Sequence, residues 1–281
     1  MRLPAGTAAG APVRVPPGRG RALGRLAARL AVLAAALGLW QALSESGLIR
    51  ADEFPSMTAT VAALGHQLAG AALWAAVGDT MAAWVVGLLL GGGCAIAVGT
   101  LIGLNGFALR SVTPVVEFFK TIPVIAVLPI ALVLWGTTLT MQYVLVAFAV
   151  FWPLVIQVFY GVRSMDPTVA DTATVLQVRG GRRFFAVVLP SAAPFIATGL
   201  RVSAAVALII AIIAELIGGG SGVGVRILTA ENSGPTAYPV MYAYILVAGL
   251  LGVGLAGAFA LAERRFLHWH ESQREAARHA P

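Results

Sequence analysis

Side chains able to do chemistry are few in this chain, and their setting says as much as their type. Lysine occurs once, as Lys120, and Phe119 rather than glycine precedes it, so the glycine-rich loop and lysine that cradle nucleotide phosphates are absent. Serine, histidine and aspartate fall into no hydrolytic arrangement, and the single cysteine, Cys94, lies in a glycine-rich apolar run with no partner for an intrachain disulfide. The four histidines are scattered, and "HWH" at 268–270 lacks further ligands, which makes it an interfacial anchor around Trp269 rather than a metal site. No catalytic residue, metal centre or bound cofactor is expected, and the chain is not an enzyme by itself.

Two groups of polar residues remain. One is an arginine-bearing island, "VADTATVLQVRGGRRFFAVVLPSAAP" (169–194), between two long apolar runs. Asp166 and Pro167 read as the cap and first position of a short helix, on which Val169, Ala173 and Leu176 share one face at spacings of four and three. "RGG" (179–181) ends that helix, "RRFFAVV" opens a second, and "LPSAAP" turns the chain back toward the next apolar run. The island is thus a helical hairpin with an apolar face and a basic rim formed by Arg182 and Arg183. The other group is Glu215, near the end of an apolar run and beside "GGGSGVGVRIL", with Asp79 and Glu117 at the edges of other runs. An ionisable residue within a span is costly in lipid and so is a candidate for function. Glu215 could gate a pathway or contact a solute; a water-exposed helix-end carboxylate is the preferred alternative.

The elements that position these groups follow from composition. The 281 residues are 59% hydrophobic and 11% charged, with several runs longer than the roughly 18–20 residues that cross a bilayer. The fold class is all-α, a polytopic membrane protein rather than a barrel of short alternating strands. Residues 1–20, rich in Ala, Gly, Pro and Arg, read as a disordered tail, and 263–281 as a charged one. Between them a membrane-embedded body, 21–262, has six spans at about 26–43, 80–104, 121–136, 139–160, 195–217 and 239–262, with the island in a 161–194 loop between the fourth and fifth. A cleaved signal peptide ending near "ALS" (42–44) is the rival to the first span; Trp40 and the spans that follow favour a retained helix. Residues 57–77 read as a weakly amphipathic surface stretch, 105–120 as a polar connection, and 218–238 as a flexible loop. In the second span Gly87, Gly91, Ala95, Gly99 and Gly103 recur every four residues, which admits a close helix neighbour within the subunit or across a dimer. Pro123 and Pro129 interrupt the third span, as a pathway wall or a packing kink.

Charge orients the whole. With six spans and Arg201 snorkelling, 17 of the 19 basic residues fall on one side, leaving only Arg50 and Arg226 on the other. By the positive-inside rule both termini and the island are cytoplasmic. That sidedness accounts for the net charge of +7 without a nucleic-acid partner.

The chain resembles the permease subunits of binding-protein-dependent ABC importers, in particular the nitrate/sulfonate/taurine branch. "EFPSMTATVAAL", "PVVEFFKTIPVIAVLPIALVLWG", "FWPLVIQVFYGVRSMDP", "TGLRVSAAVALIIAIIAELIGGGSGVGV" and a Leu-Pro turn occur in that branch's order over residues 53–262. The family's cytoplasmic signature is Glu-Ala-Ala, three residues, Gly, nine residues, Ile, one residue and Leu-Pro. Set on Leu189 and Pro190, it aligns Asp171, Thr172 and Ala173 with Glu-Ala-Ala, Gln177 with the glycine and Val187 with the isoleucine. Gln177 departs from the pattern, and Gly180 and Gly181 are expected to supply the turn instead, lengthening the first helix by about one turn.

The resemblance implies that the island is a coupling helix seated on a cytoplasmic ATPase, present in two copies, which uses ATP and Mg. It also implies a second copy of this chain, an extracytoplasmic solute-binding protein on the "GGGSGVGVRIL" side, and residence in the bacterial inner membrane. A self-sufficient ion-coupled carrier or channel is the alternative, and it would place paired ionisable residues at mid-membrane. A membrane scaffold whose island binds some other partner is a third reading.

Overall fold

The computed structural model describes residues 19–50 and 53–266, so most of both tails and the 268–270 anchor lie outside the described residues. Among the described residues all regular structure is helical: α1 (Arg19–Glu45), α2 (Met57–Leu68), α3 (Ala71–Leu104), α4 (Gly106–Lys120), α5 (Val124–Trp135), α6 (Leu139–Arg163), α7 (Pro167–Val175), α8 (Gly180–Arg183), α9 (Leu189–Gly218), α10 (Val223–Asn232) and α11 (Tyr238–Phe266). A π-helical turn, Phe184–Val188, joins α8 to α9, and a 3₁₀ turn, Pro235–Ala237, leads into α11. Five helices or continuous helix runs are long and apolar enough to cross a bilayer, and α4 with α5, taken together as one span, makes a sixth, bent by 85° at its middle.

Helices α3, α6 and α9 form the core because α3 presents almost no side chain to α6. A Cβ added at Gly99 would lie 2.8 Å from Val158 Cβ, one at Gly103 2.9 Å from Val162 Cβ, and one at Gly91 would overlap the Ala147 carbonyl. In lipid no hydrophobic gain draws apolar helices together, so close backbone approach and dispersion contacts hold the pair. The small-residue stripe therefore serves packing within the subunit. Large apolar side chains such as Leu89, Leu101, Val133 and Val253 point outward, as a lipid-facing surface requires.

The spans differ from the expected ones at their ends. Helix α3 begins nine residues earlier than expected, at Ala71, and residues 57–68 form a separate helix, α2, whose N-terminus is capped by Ser56. Residues 106–120 are a helix rather than a polar connection. Asn105 caps α4 by accepting from the N–H groups of Phe107 (3.0 Å) and Ala108 (3.3 Å). Helix α1 buries none of its apolar span against the chain; its far end is tied by Trp40 Nε1 donating to Pro55 O (3.1 Å) and Ser44 Oγ to Phe54 O (2.9 Å).

Candidate functional site

The hairpin joins the two central helices directly, α6 through Ser164–Asp166 and α9 through α8 and the π-turn. Helix α7 starts as its sequence dictates: Asp166 Oδ1 accepts from Thr168 N at 2.7 Å and Pro167 occupies the first turn. That backbone N–H holds the Asp166 carboxyl below its ordinary pKa.

Its end does not follow expectation. The helix stops at Val175, and Gln177 takes the left-handed conformation itself, φ +54°, as the only non-glycine residue with positive φ among those described. Val178 N donates to Ala173 O (2.9 Å) and Gln177 N to Thr174 O (3.0 Å), the paired bonds of a Schellman turn. Gly180 (φ +58°) and Gly181 do not extend the first helix; they open the second. The turn thus falls where the signature has glycine, and these two bonds fix it there despite the side chain.

The face of α7 also needs correction. Ala173 is 4% exposed, turned against the hairpin's own second limb, whereas Val169 stays half-exposed and Leu176, at the cap, has left the helical register. Asp171 and Thr172 face solvent, with Thr172 Oγ1 bonded back to Thr168 O. The outward apolar patch is Val175 (81% exposed), Leu176 (69%) and Phe185 (68%), flanked by Arg179 and Arg182. Val175 was not anticipated, although it lies one turn beyond Asp171 on the same ridge. At Leu189 and Pro190 no turn occurs: Val187 and Leu189 are half-buried and the helix runs on. Leu189 N bonds Phe184 O, five residues back, and this wider register re-spaces the carbonyls ahead of Pro190, which has no N–H.

At the other end of α9, Glu215 is 0% exposed, so it is not the water-facing carboxylate expected. Its Oε2 accepts from Thr80 Oγ1 (3.0 Å) and Gly224 N (2.8 Å), while Thr80 Oγ1 accepts from Val223 N (2.9 Å). The carboxyl group thereby satisfies the Gly224 N–H and, through Thr80, supports the acceptor of the Val223 N–H, so that the first two N–H groups of α10 are partnered at the end of the helix that favours negative charge. Gly222 (φ +130°) leaves room for it, since a Cβ there would occupy the carboxyl group's space. Gln142 Nε2 donates to Ser221 O (3.0 Å). The glycine-rich segment is accordingly a pinned loop followed by a helix, not a flexible loop.

Pro123 caps α5 at the 85° break, Pro129 lies exposed within α5, and neither touches the Glu215 cluster or the hairpin in any contact described. Hairpin and Glu215 sit at opposite ends of a helix run of 39 residues, roughly 55–60 Å at 1.5 Å per residue.

Against known proteins, residues 91–268 match the family described as the binding-protein-dependent transport system inner membrane component. The chain belongs to this family. It is 28% identical to the Bacillus subtilis protein named as an aliphatic sulfonates transport permease, SsuC, over 84% of this chain and 85% of that one. It is 29% identical to the nitrate import permease NrtB of Leptolyngbya laminosa, over 80% and 82%. A Brucella abortus protein named as an ABC transporter permease is 32% identical over 69% of this chain and 78% of its own length. In fold it is similar to a chain of the inward-facing MetNI methionine ABC transporter, with TM-score 0.61 and 19% identity, covering 69% of this chain and 95% of that one. The membrane-spanning, all-helical importer permease expected from sequence is thus established at the level of family and fold.

Proposed function

We propose that this chain forms the membrane pathway of an ABC importer and that its 164–190 hairpin couples a partner ATPase, using ATP and Mg, to uptake of a small sulfonate-, taurine- or nitrate-like anion. The observation that carries the reading is the hairpin: capped at one end, closed by a Schellman turn, joined to α6 through three residues and to α9 without a break, and showing Val175, Leu176 and Phe185 to water. A merely solvated loop has no reason to be so rigid or to expose so much apolar surface. Asp171, Thr172 and Gln177 line the same surface and offer polar contacts to the ATPase. Val169 and Leu176 belong to the docking face; Ala173, Val187, Leu189, Gly180 and Gly181 act by holding its shape. A second copy of the chain completes the pathway, and an extracytoplasmic binding protein delivers the anion at the Glu215 end. The charge distribution puts both termini and the hairpin in the cytoplasm of a bacterial cell.

The test is affinity purification of the tagged chain in mild detergent. A stoichiometric ATPase that is lost on Asp171→Lys, Leu176→Asp or scrambling of 166–190, with the chain still in the membrane, supports the reading. A chain that purifies alone and transports in sealed vesicles without ATP sinks it and favours the self-sufficient carrier. One feature favours that second reading: Glu117 and Lys120 form an ion pair.

A further inference from the structure

The position of that ion pair is unusual. Helix α4 starts beside the hairpin end of α6, where a Cβ on Gly106 would lie 3.4 Å from the Arg163 guanidinium. It ends at mid-depth, because the Phe119 ring stacks on that of Trp152, centroids 4.8 Å apart and planes 6° from parallel. Trp152 lies near the middle of α6, roughly 16–20 Å from either end at 1.5 Å per residue. Lys120, the last residue of α4, therefore sits about halfway through the membrane at the break of the α4–α5 crossing. Its side chain, about 6 Å long, cannot reach either surface by snorkelling.

Yet Lys120 and Glu117 are not buried: their side chains are 41% and 43% exposed in the single subunit. Facing lipid at this depth, such a pair would be costly, and non-helical backbone such as Thr121–Pro123 is tolerated at mid-membrane only inside protein or beside water. The exposed side of the break thus turns toward a second copy of the chain or toward water rather than toward lipid. The chemistry there is specific. Glu117 takes one of the three ammonium N–H groups, leaving two, and the neighbouring Trp152 indole N–H is buried without a hydrogen-bond partner. Phe118, Phe119, Phe148 and Phe151 pack around or beside that indole and supply an apolar wall.

We propose that Lys120, at the break between α4 and α5, is the mid-membrane binding site for the transported anion, a small sulfonate or comparable oxyanion, with Glu117 as its resident counter-charge. Glu117 neutralises the ammonium while the site is empty and competes with the anion when it is occupied. Binding is thereby kept weak enough for release, as conduction demands. The inference rests on the importer reading for the direction of transport but not for the site itself.

The experiment uses a thiol at the adjacent position, Thr121→Cys, with Cys94→Ala removing the native one, in isolated membranes opened to both faces. Two water-soluble methanethiosulfonates are compared, one bearing a sulfonate and one a trimethylammonium group. Both are expected to react. With charge and thiol about 8 Å apart and an effective dielectric between about 80 and 20, Lys120→Gln slows the sulfonate reagent by about 2- to 30-fold and speeds the cationic one. Glu117→Gln does the opposite. A thiol that reacts with neither reagent means a dry interface, and variants that shift both reagents together mean a structural ion pair; either overturns the site. Labelling needs no ATPase, so charge selectivity without ATPase capture sinks the importer reading alone, and ATPase capture with charge-blind labelling sinks the site alone.

Discussion

Replacing Gln177 with glycine should tighten the hairpin. At φ +54° the side chain puts Cβ against the following carbonyl, a conformation that costs about 1–2 kcal/mol for a residue with a Cβ. Glycine removes that cost but adds unfolded-chain entropy of about 0.4–1 kcal/mol. Mid-range values of about 1.5 and about 0.7 kcal/mol leave a net gain of about 0.8 kcal/mol, or roughly a fourfold fall in the opening equilibrium of the turn. Hydrogen exchange of the amides in 173–183, above all the bonded N–H groups of Gln177 and Val178, reads that equilibrium directly. Exchange should slow roughly fourfold in Gln177→Gly and stay as it was, or speed up, in Gln177→Ala, which keeps Cβ and hence the strain. Gln177→Val should speed it further because branching at Cβ adds to the clash. If alanine protects as well as glycine, the side chain beyond Cβ rather than the backbone is responsible and the reasoning fails. Uptake should survive the glycine variant, since the turn keeps its geometry.

Three further outcomes are expected. Glu215→Ala leaves the Gly224 N–H buried without its acceptor and should cost about 1–3 kcal/mol, read as a lower unfolding temperature in detergent and faster exchange at Val223 and Gly224; unchanged exchange there would refute the clamp. Gly99→Leu should separate α3 from α6 and lose at least about 1–3 kcal/mol by overpacking, whereas Gly93→Ala, with open space around its Cβ inside the same helix, should be stabilising by about 0.4–1 kcal/mol, so equal losses would count against close packing as the cause. The Asp166 cap has a depressed folded pKa, so its contribution is present at neutral pH and lost as pH falls from the ordinary carboxylate value of about 4 through the lower folded one; exchange in 168–170 should rise only there, and Asp166→Asn should abolish that pH dependence.

What could be read from the sequence was decided by how locally each feature is encoded. The α7 cap was legible because Asp166 and Pro167 act on adjacent N–H groups. The core spans were legible because a bilayer imposes one length and one polarity. Residues 106–120 were misread because Arg110, Glu117 and Lys120 gave them the look of a loop; their polar face is explained only by the 85° break, which no local pattern announces. Glu215 was misjudged for a similar reason. Its donors lie on Thr80, 135 residues away, and on Gly224, and only the fold brings the three together. Gln177 shows a different limit: spacing marked the position as a left-handed turn, propensity argued against it, and the two Schellman hydrogen bonds outweighed propensity.

The connectivity explains why the two ends of α9 belong to one device. The hairpin's second limb runs without a break into α9, and α9 ends at the carboxylate that pins Thr80 of α3 and the first turn of α10. The first limb descends directly from α6, whose opposite end holds the glycine loop through Gln142. In the proposed coupling, a tilt applied at Val175, Leu176 and Phe185 would reach the far side along two helices whose other ends grip the same loop. Between them, at mid-depth, α6 carries Trp152, against which the break of α4–α5 rests. Tilting α6 relative to α9 must then move Phe119 and with it Lys120. The proposed lever, the proposed anion site and the far-side loop thus share helices.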